Sequence, residues 1–473
     1  MNLLNKHLGL FTDHYELTMA EGYFLTQRGH LTANFDYFFR KNPFNSGFTI
    51  FAGLQDLLEM IHEFKFDADT IDYLHKCGFT SDFLEYLKSF YFKGNIYAPN
   101  EGEIVFPYEP ILSIEGTIIE TQLLETLTLN TLNFQSLIAT KANRLRYAAG
   151  ERSLMDFGMR RAQGWAAIHA SRAAIIGGVN ATSNVLSAFL YDLTSSGTQA
   201  HSWIQSFDDE LTAFRKFAET HPNDCVLLVD TYNTLKSGLP NAIIVAKEMV
   251  QRNQKLTAIR LDSGDFAYLS KKARMMLDKA GLNEVKIIVS NQLDEYLIKS
   301  LINQDAPIDG FGVGTSLVTG QNDAALDGVY KLSMIDKRPT IKLSEDPVKI
   351  SLPGKKKIVR YFDADNKFYA DAIALSNENE EEISVIFHPQ NSDNNAVMKN
   401  FRSETIVSKV SENGNVLIGN KSIQEIFDYR KYRVSQLPVE YKRFEFPHIY
   451  KVGLSSNLKI LRDKTITEIR KNS

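Results

Sequence analysis

The sequence predicts an α/β protein whose central part is a parallel β-sheet, most economically a β/α barrel. Two observations predict this fold class. Continuous apolar runs such as CVLLVD (225–230) are typical of strands that are buried on both faces of a parallel sheet. From about residue 133 onward, such runs alternate with stretches of helical periodicity. Strands that alternate with helices form βαβ units, and these units build parallel sheets.

The elements of this central part follow one another in a regular order. The first strand is LMDFG (154–158), and the first helix lies around GWAAIHASRAAIIGG (164–178). The later predicted strands are 225–230, 256–262, 285–290 and 308–314. The helices between them are predicted at 242–254, 266–282 and 293–304.

The two ends of the chain have a different pattern. Residues 101–121 (EGEIVFPYEPILSIEGTIIET) are rich in β-branched and aromatic residues and predict short antiparallel strands, and residues 50–64 have helical spacing. Residues after about 328 return to polar strands and turns and end in a charged tail, and the basic run Lys355–Lys357 is interpreted as a solvated hairpin. The predicted parts are an N-terminal α+β domain (1–132), a barrel domain (133–327) and a C-terminal part (328–473) that packs with the N-terminal domain.

Composition excludes several function classes. The 473 residues carry a net charge of −4, which gives no global attraction to nucleic acid or to an anionic membrane. Cys77 and Cys225 are too few for a disulfide framework or a four-thiolate zinc site. No apolar run has the length of a membrane span, and the first residues lack the pattern of a secretory signal. We expect a soluble cytoplasmic enzyme with neither nucleic-acid nor membrane partners.

Polar, charged or glycine residues follow the predicted strands at the point where each strand ends. In a β/α barrel the carboxyl ends of the strands meet at one rim, where the chemistry takes place. His201, in GTQAHSW (197–203), falls between two such units. The residues at the strand ends are Arg160, Arg161, Asp230, Arg260, Asp262, Asp265, Asn291, Gly312, Gly314 and Thr315. Together they predict one shared functional site.

The residue types at this rim indicate a class of ligand. Arginines bind phosphates and planar anions in two-pronged fashion. The sequence Gly-x-Gly-Thr (312–315) leaves backbone N–H groups and a hydroxyl for a phosphate. Carboxylates beside a phosphate site suggest Mg²⁺. The residues therefore predict a phosphorylated substrate, a metal and a reactive histidine, which leaves phosphoryl and glycosyl chemistry both open.

Several motifs resemble those of the nicotinate phosphoribosyltransferase family, in the order in which that family has them. The resemblance extends from residue 12 to about residue 357, and GTQAHSW together with RLDSGD (260–265) is its most specific part. The other matching stretches are TDHYELTM, FFRKNPFNSGFTIFAGLQDLL, EGEIVFPYEPILSIEG, LNFQSLIATKANRLR, DFGMRRAQG and GFGVGTSLVTG.

The resemblance implies a fold and a reaction. The fold is that of a type II phosphoribosyltransferase: an irregular α/β barrel beside an α+β domain built from the N- and C-terminal parts. The reaction converts nicotinate, phosphoribosyl pyrophosphate, ATP and water to nicotinate mononucleotide, pyrophosphate, ADP and phosphate through a phosphohistidine. It serves NAD salvage and uses Mg²⁺ as cofactor and ATP as co-substrate. The family also implies a homodimer with shared active sites.

The resemblance also implies roles for single residues. His201 matches the histidine that ATP phosphorylates, and the carboxylate of Asp230 is placed to orient it. Asp262 matches the acid near the ribose. Tyr15 of the neighbouring subunit and Phe157 match the residues on the two faces of the pyridine ring. Arg160 and Arg260 match the arginines near the carboxylate and the phosphoribosyl group, and Ser183 stands where nicotinamide-using relatives have an acid. The residues that match the phosphate loop are Gly312, Gly314 and Thr315. Arg161, beside Arg160, remains an alternative contact.

Other functions fit the sequence less well. Nicotinamide or quinolinate as the substrate is the nearest alternative. A type I phosphoribosyltransferase would have paired acids where this chain has Asp230 alone. A sugar-phosphate-binding protein without catalysis would not need His201. A glycosidase that uses Asp262 and Asp265 has no other support in the sequence.

Overall fold

The computed structural model describes residues 7–344, 351–391 and 394–472. The chain divides into two compact units. One consists of residues 1–137, 325–421 and 428–473, and the other of residues 138–324 and 422–427. In the described part of the chain, no helix is both long and apolar enough to cross a membrane.

The N-terminal segment is mixed helix and strand. Its strands are β1 (Thr32–Phe39), β2 (Thr49–Ile50), β3 (Asn95–Ala98), β4 (Ile104–Val105) and β5 (Leu112–Thr117). Its helices are α1 (His14–Leu25), α2 (Leu54–His62), α3 (Ala68–Lys76), α4 (Ser81–Lys88), α5 (Ile118–Gln122) and the start of α6 (Glu125–Ala149). The predicted strands of 101–121 are present as β4 and β5, but the stretch ends in α5. Thr117 and Glu120 form a capping box there, which starts a helix.

The central segment contains the predicted parallel sheet. Its strands are β6 (Ser153–Asp156), β7 (Ala181–Thr182), β8 (Val226–Leu228), β9 (Ala258–Leu261), β10 (Lys286–Ser290) and β11 (Gly310–Val313). They lie in the order β7-β6-β11-β10-β9-β8, and all five neighbouring pairs are parallel. The helices are α7 (Trp165–Gly177), α8 (Val185–Tyr191), α9 (His201–Gln205), α10 (Glu210–Thr220), α11 (Leu239–Gln251), α12 (Phe266–Lys279), α13 (Glu295–Asn303) and α14 (Thr315–Val318).

The predicted barrel is not confirmed, because backbone pairing in the described residues leaves β7 and β8 as edges of an open sheet. The loop that precedes His201 lies between these two edges. Ser196 N–H donates to the Thr182 carbonyl on β7 (2.9 Å), and the Gln199 side-chain amide donates to the Val226 carbonyl on β8 (3.4 Å). The two edges are therefore linked by a loop and one side chain.

The C-terminal segment is richer in regular structure than the predicted strands and turns. Its strands are β12 (Gly328–Ile335), β13 (Arg338–Pro339), β14 (Lys356–Phe362), β15 (Phe368–Leu375), β16 (Val385–Phe387), β17 (Asn395–Val397), β18 (Arg402–Thr405), β19 (Ser408–Glu412), β20 (Asn415–Val416) and β21 (Val452–Ser455). The charged tail is the helix α16 (Ser456–Asn472), and α15 (Ile423–Gln436) precedes it. One sheet has the order β13-β12-β1-β5-β3-β19-β20 and so joins both ends of the chain; a second has the order β17-β16-β21-β15-β14-β18.

The interpretation of Lys355–Lys357 as a solvated hairpin was wrong. Lys356 belongs to β14, and its side chain is 1% exposed. Its Nζ lies 2.7 Å from Oδ2 of Asp36 on β1 and donates to the Leu352 carbonyl (3.0 Å). Burial lowers the pKa of Lys356, although the charge of Asp36 opposes this. A charged side chain in this setting is stable only while it is paired.

A buried carboxyl group on α1 predicts a pH-dependent stability. Glu16 is fully buried and accepts hydrogen bonds from Thr12 (2.5 Å) and Thr126 (2.5 and 3.0 Å). Burial raises its pKa from an ordinary value of 4.5 to about 7, although these hydrogen bonds oppose the rise. The folded chain therefore keeps a proton that the unfolded chain releases, so that the free energy of unfolding falls as pH rises from about 5 to 7.

We expect Glu16→Gln to remove this part of the pH dependence, because glutamine cannot ionise. The variant should lose a fall in the free energy of unfolding of about 3 kcal/mol, which corresponds to the difference between a pKa of 4.5 and one of about 7. Chemical denaturation at pH 5, 6, 7 and 8 measures it. Glu59→Gln, at an exposed site on α2, is the matched control. Parallel pH profiles of wild type and Glu16→Gln would contradict the prediction.

Candidate active site

Arg260 on β9 is held by three hydrogen bonds to three different side chains. Its Nε donates to Ser290 Oγ (2.8 Å), its Nη1 to Thr198 Oγ1 (2.8 Å) and its Nη2 to Asp262 Oδ1 (2.6 Å). Its guanidinium also lies 5.4 Å from the centre of the Phe157 ring, which suits a cation–π contact. The side chain is 17% exposed, so the cation is fixed and still reachable from solvent.

Asp262 follows β9 and is an anion at neutral pH. Its Oδ1 accepts a hydrogen bond from Ser290 (2.5 Å) in addition to the one from Arg260. Burial by itself would raise the pKa of Asp262. The hydrogen bond from Ser290, the charge of Arg260 and that of His201 outweigh this effect and hold the pKa below its ordinary value.

His201 is the first residue of α9 and lies next to this carboxylate. Its Nδ1 is 3.0 Å from Thr231 Oγ1, and its Nε2 is 3.9 Å from Asp262 Oδ2. The side chain is 41% exposed, so a ligand in solution can reach the ring. The imidazole is thus oriented by a hydroxyl on one side and faces a carboxylate on the other.

The expectation that Asp230 orients His201 is not what the structure shows, because Thr231 makes the hydrogen bond to the ring. Asp230 Oδ2 instead accepts from the backbone N–H of Asp262 (2.8 Å) and from the hydroxyl of Ser263 (2.7 Å). Asp230 thereby fixes the loop that follows β9. Its Oδ1 is buried and has no hydrogen-bond partner among the described residues.

The unpartnered Oδ1 of Asp230 is an oxygen that the predicted Mg²⁺ could use as a ligand. The described residues contain no group of three or more histidine, cysteine, aspartate or glutamate side chains arranged to hold a metal ion. Mg²⁺ is often held by only one or two carboxylates, with substrate phosphates and waters completing its shell. Asp230 and Asp262 can supply such a pair, so the residues fit a magnesium ion that binds together with a phosphorylated substrate.

A glycine within β11, Gly312, leaves room for the aromatic ring of Phe157. A Cβ on Gly312 would lie 2.5 Å from two carbons of the Phe157 ring, so only glycine lets the ring lie against this strand. Phe157 is half-buried, and its N–H donates to the Val313 carbonyl (2.7 Å). Gly314 is the N-cap of α14, and Thr315 is exposed at its start. The phosphate-binding role of 312–315 stays a prediction.

The other predicted binding residues lie at different places. Ser183 follows β7, and its N–H donates to the Asp156 carbonyl at the end of β6 (2.8 Å), which puts it at the same edge of the sheet. Arg160 and Arg161 are exposed on the 3₁₀ turn Met159–Arg161 that follows β6. Tyr15 belongs to the other unit, on α1, and is 46% exposed.

A buried carboxylate that the sequence did not single out supports the turn that carries Phe157. Asp156 accepts hydrogen bonds from the hydroxyls of Ser171 and Thr182 (both 2.7 Å) and from the N–H of Gly158 (2.8 Å). Burial raises its pKa, although these hydrogen bonds oppose the rise. The sequence indicates Asp156 only by its position, as the last residue of an otherwise apolar strand.

Three hydroxyl residues of the site were also missed, namely Thr198, Thr231 and Ser290. Each lies beside a residue or within a motif that the sequence did indicate: Thr198 in GTQAHSW, Thr231 after Asp230, and Ser290 at the end of the predicted strand 285–290. Small hydroxyl residues are common in all proteins, so their types carried no signal.

The backbone after β10 is strained. Asn291 and Gln292 have φ values of 80° and 49°, in the left-handed region that non-glycine residues rarely adopt. The Asn291 side chain donates to the Asp262 carbonyl (3.1 Å), which ties this turn to the loop after β9. Strain of this kind concentrates at functional sites.

Family models and known proteins match this chain along most of its length. Three models match in succession: the N-terminal domain of nicotinate phosphoribosyltransferase (residues 10–133), the nicotinate phosphoribosyltransferase family (152–371) and the C-terminal domain of nicotinate phosphoribosyltransferase (355–462). A nicotinate phosphoribosyltransferase of Bacillus subtilis is 43% identical over 472 residues, which cover 98% of this chain and 96% of the relative. This chain belongs to the nicotinate phosphoribosyltransferase family.

More distant members of the family, and a relative of similar fold, also match along most of the chain. The nicotinate phosphoribosyltransferase of Caenorhabditis elegans is 35% identical over 95% of this chain and 92% of its own length. The crystal structure of human nicotinic acid phosphoribosyltransferase superposes with a TM-score of 0.86 at 27% identity, covering 97% of this chain and all of the human one. A nicotinate-nucleotide pyrophosphorylase of Pyrococcus furiosus (TM-score 0.73, 24% identity, 92% and 97% covered) shares the fold. These structures bear out the α/β fold with its parallel sheet.

Proposed function

We propose that this protein is an enzyme that transfers a phosphoribosyl group from phosphoribosyl pyrophosphate to nicotinate, giving nicotinate mononucleotide and pyrophosphate for NAD salvage. Family membership supports the reaction. The observation that carries it is the cluster at the carboxyl edge of the sheet: the ionised Asp262 lies 2.6 Å from the fixed Arg260 and 3.9 Å from the accessible His201.

Nicotinate is a flat aromatic anion, and the site offers a partner for each of these properties. The ring of Phe157 provides one stacking face, and Tyr15 of the partner subunit in a homodimer would provide the other. Arg260 lies over Phe157 and, with the exposed Arg160, supplies positive charge for the carboxylate. Ser183 at the same edge adds no negative charge that would repel the substrate.

The charges around Asp262 suit the transfer step. When the bond between ribose and pyrophosphate breaks, positive charge develops on the sugar and negative charge leaves with pyrophosphate. The low pKa of Asp262 keeps a carboxylate available near the developing positive charge. Asp230 and Asp262 would hold a magnesium ion, which when bound neutralises phosphate charge. The ring nitrogen of nicotinate then forms the new bond to the ribose carbon.

We further propose that ATP hydrolysis is coupled to the transfer through His201. A ring nitrogen attacks the γ-phosphorus of ATP, ADP leaves with the electron pair of the broken bond, and water later releases phosphate and restores the imidazole. The ring is accessible and is oriented by Thr231, as a nucleophile requires. A phosphate there would add nearly two negative charges close to Arg260 and Asp262, which would change how this cluster binds its anionic ligands.

The substrate assignment predicts a strong preference for nicotinate over nicotinamide. A charged hydrogen bond between arginine and carboxylate contributes about 1.5–3 kcal/mol, so we expect kcat/KM for nicotinate to be about 10- to 150-fold higher. The assay uses purified protein with phosphoribosyl pyrophosphate and Mg-ATP, and separates mononucleotides by chromatography. Ser183→Asp should reduce this preference, while Ser183→Asn, which adds similar bulk without a charge, is the matched control. Equal turnover of both bases, or turnover of quinolinate alone, would contradict the assignment.

A further inference from the structure

Ser290 joins two charged residues of the site, Arg260 and Asp262. It is the last residue of β10, between β9 and β11 in the sheet, and is 1% exposed. Its Oγ accepts a hydrogen bond from Arg260 Nε (2.8 Å) and donates one to Asp262 Oδ1 (2.5 Å). A hydroxyl has a single proton, and arginine can only donate, so the direction of both bonds is fixed.

The two bonds close a triangle, because Arg260 Nη2 also donates to the same oxygen of Asp262 (2.6 Å). With the ion pair alone, the guanidinium and the carboxylate could each still rotate about their side-chain bonds. The hydroxyl of Ser290 adds a second contact to each group, which fixes the guanidinium plane at Nε and the carboxylate at Oδ1. This leaves Oδ2 of Asp262 as the oxygen that faces His201, at 3.9 Å from Nε2.

The surroundings of Ser290 explain why its side chain is small. The Cβ that glycine lacks at position 312 would lie 3.2 Å from the Cβ of Ser290 and 2.5 Å from the Phe157 ring. Phe157, Gly312 and Ser290 thus pack on one another beneath Arg260. Alanine fits at position 290 without a clash, so Ser290→Ala deletes the hydroxyl and nothing else.

We propose that Ser290 is a positioning residue of the active site, whose hydroxyl fixes Arg260 over Phe157 and turns Asp262 toward His201. This inference rests on the proposed function, because it takes Arg260 and Asp262 to act on the substrate. Ser290 is 1% exposed, so a substrate in the site would meet Arg260 and Asp262 rather than this side chain. Its effect is transmitted through the two residues that it holds.

The test compares Ser290→Ala with wild type in the nicotinate assay, with kcat and KM measured separately and with a thermal melt of each protein. We expect kcat/KM to fall at least tenfold, mainly through kcat, because Arg260 and Asp262 keep their charges but lose the hydroxyl that fixes their directions. The melting temperature should change little, because alanine fits at position 290. A residue needed only for packing would lower the melting temperature and leave kcat of the folded enzyme unchanged.

Two further variants complete the test. Ser270→Ala on α12 removes another buried serine hydroxyl, one that donates to the Ala267 carbonyl, and should change neither kcat nor KM. Ser290→Cys keeps a small side chain with a weak donor and should recover part of the lost kcat. An active wild type with an unchanged kcat in Ser290→Ala would overturn this inference alone. A wild type that does not turn over nicotinate would overturn the proposed function as well.

Discussion

His201→Ala is expected to abolish the incorporation of acid-labile phosphate from labelled ATP and to remove the stimulation of nucleotide formation by ATP. The imidazole is 41% exposed, is oriented by Thr231 and lies beside the Asp262 carboxylate. In the proposed mechanism, the phosphoribosyl transfer uses the charges of Arg260 and Asp262 but no nucleophilic histidine. We therefore expect a slow transfer activity that no longer depends on ATP, rather than a complete loss of activity.

Two measurements check this result: acid-labile label on the protein, and the rate of nicotinate mononucleotide formation with and without ATP. His221→Ala is the matched control. His221 follows α10, and its exposed ring stacks on Phe217 with 4.5 Å between ring centres, so its removal should leave phosphorylation intact. Label that persists in His201→Ala would place the phosphate on another residue and refute the proposed role.

Arg260→Lys is expected to lower kcat/KM for nicotinate by about 100- to 1000-fold, nearly as much as Arg260→Ala. This range corresponds to the loss of one fixed donor to a developing charge, about 2.7–4 kcal/mol. The guanidinium uses three separate N–H directions for Ser290, Thr198 and Asp262 while its plane lies near Phe157. A lysine ammonium ion keeps the charge but has neither the plane nor the spacing of these donors.

Steady-state kinetics with nicotinate and phosphoribosyl pyrophosphate, together with a thermal melt of each variant, separate this loss from unfolding. Arg274→Lys is the control. Arg274 on α12 also makes several hydrogen bonds, and within the described residues these go to Asp278 and to the carbonyls of Leu282 and Val285, outside the site. If Arg260→Lys keeps more than half of the wild-type kcat/KM, charge alone suffices and the argument from geometry is wrong.

Much of the fold could be predicted from local pattern. The apolar runs at 225–230, 256–262 and 285–290 predicted strands β8, β9 and β10, which are one to three residues shorter than these runs. Their parallel arrangement followed from the helices between them. What could not be predicted is how the sheet ends. The loop that lies between β7 and β8 has no periodicity, and its hydrogen bonds are to residues far along the chain.

The candidate site could likewise be predicted only in part. The charged residues could be predicted because they end strands, and strand ends share one edge of the sheet. The hydrogen-bond partners of these charged residues could not be predicted. The direction of a side chain in the turn after a strand depends on the local backbone conformation and not on its position in the chain. Asp230 and Thr231 are neighbours in sequence, yet Thr231 contacts His201 and Asp230 holds the loop of Asp262.

By itself, the sequence determined the α/β class, the edge at which the charged residues gather and the family to which the chain belongs, because these depend on residue types in local order. Only the tertiary structure decided which hydroxyls and carboxylates meet. Lys356 shows why: as one of three adjacent lysines it has the pattern of a solvated turn, but β14 brings it to Asp36 on β1. A pairing between residues so far apart in the chain leaves no trace in the sequence around either of them, because the contact is made by packing and not by local propensity.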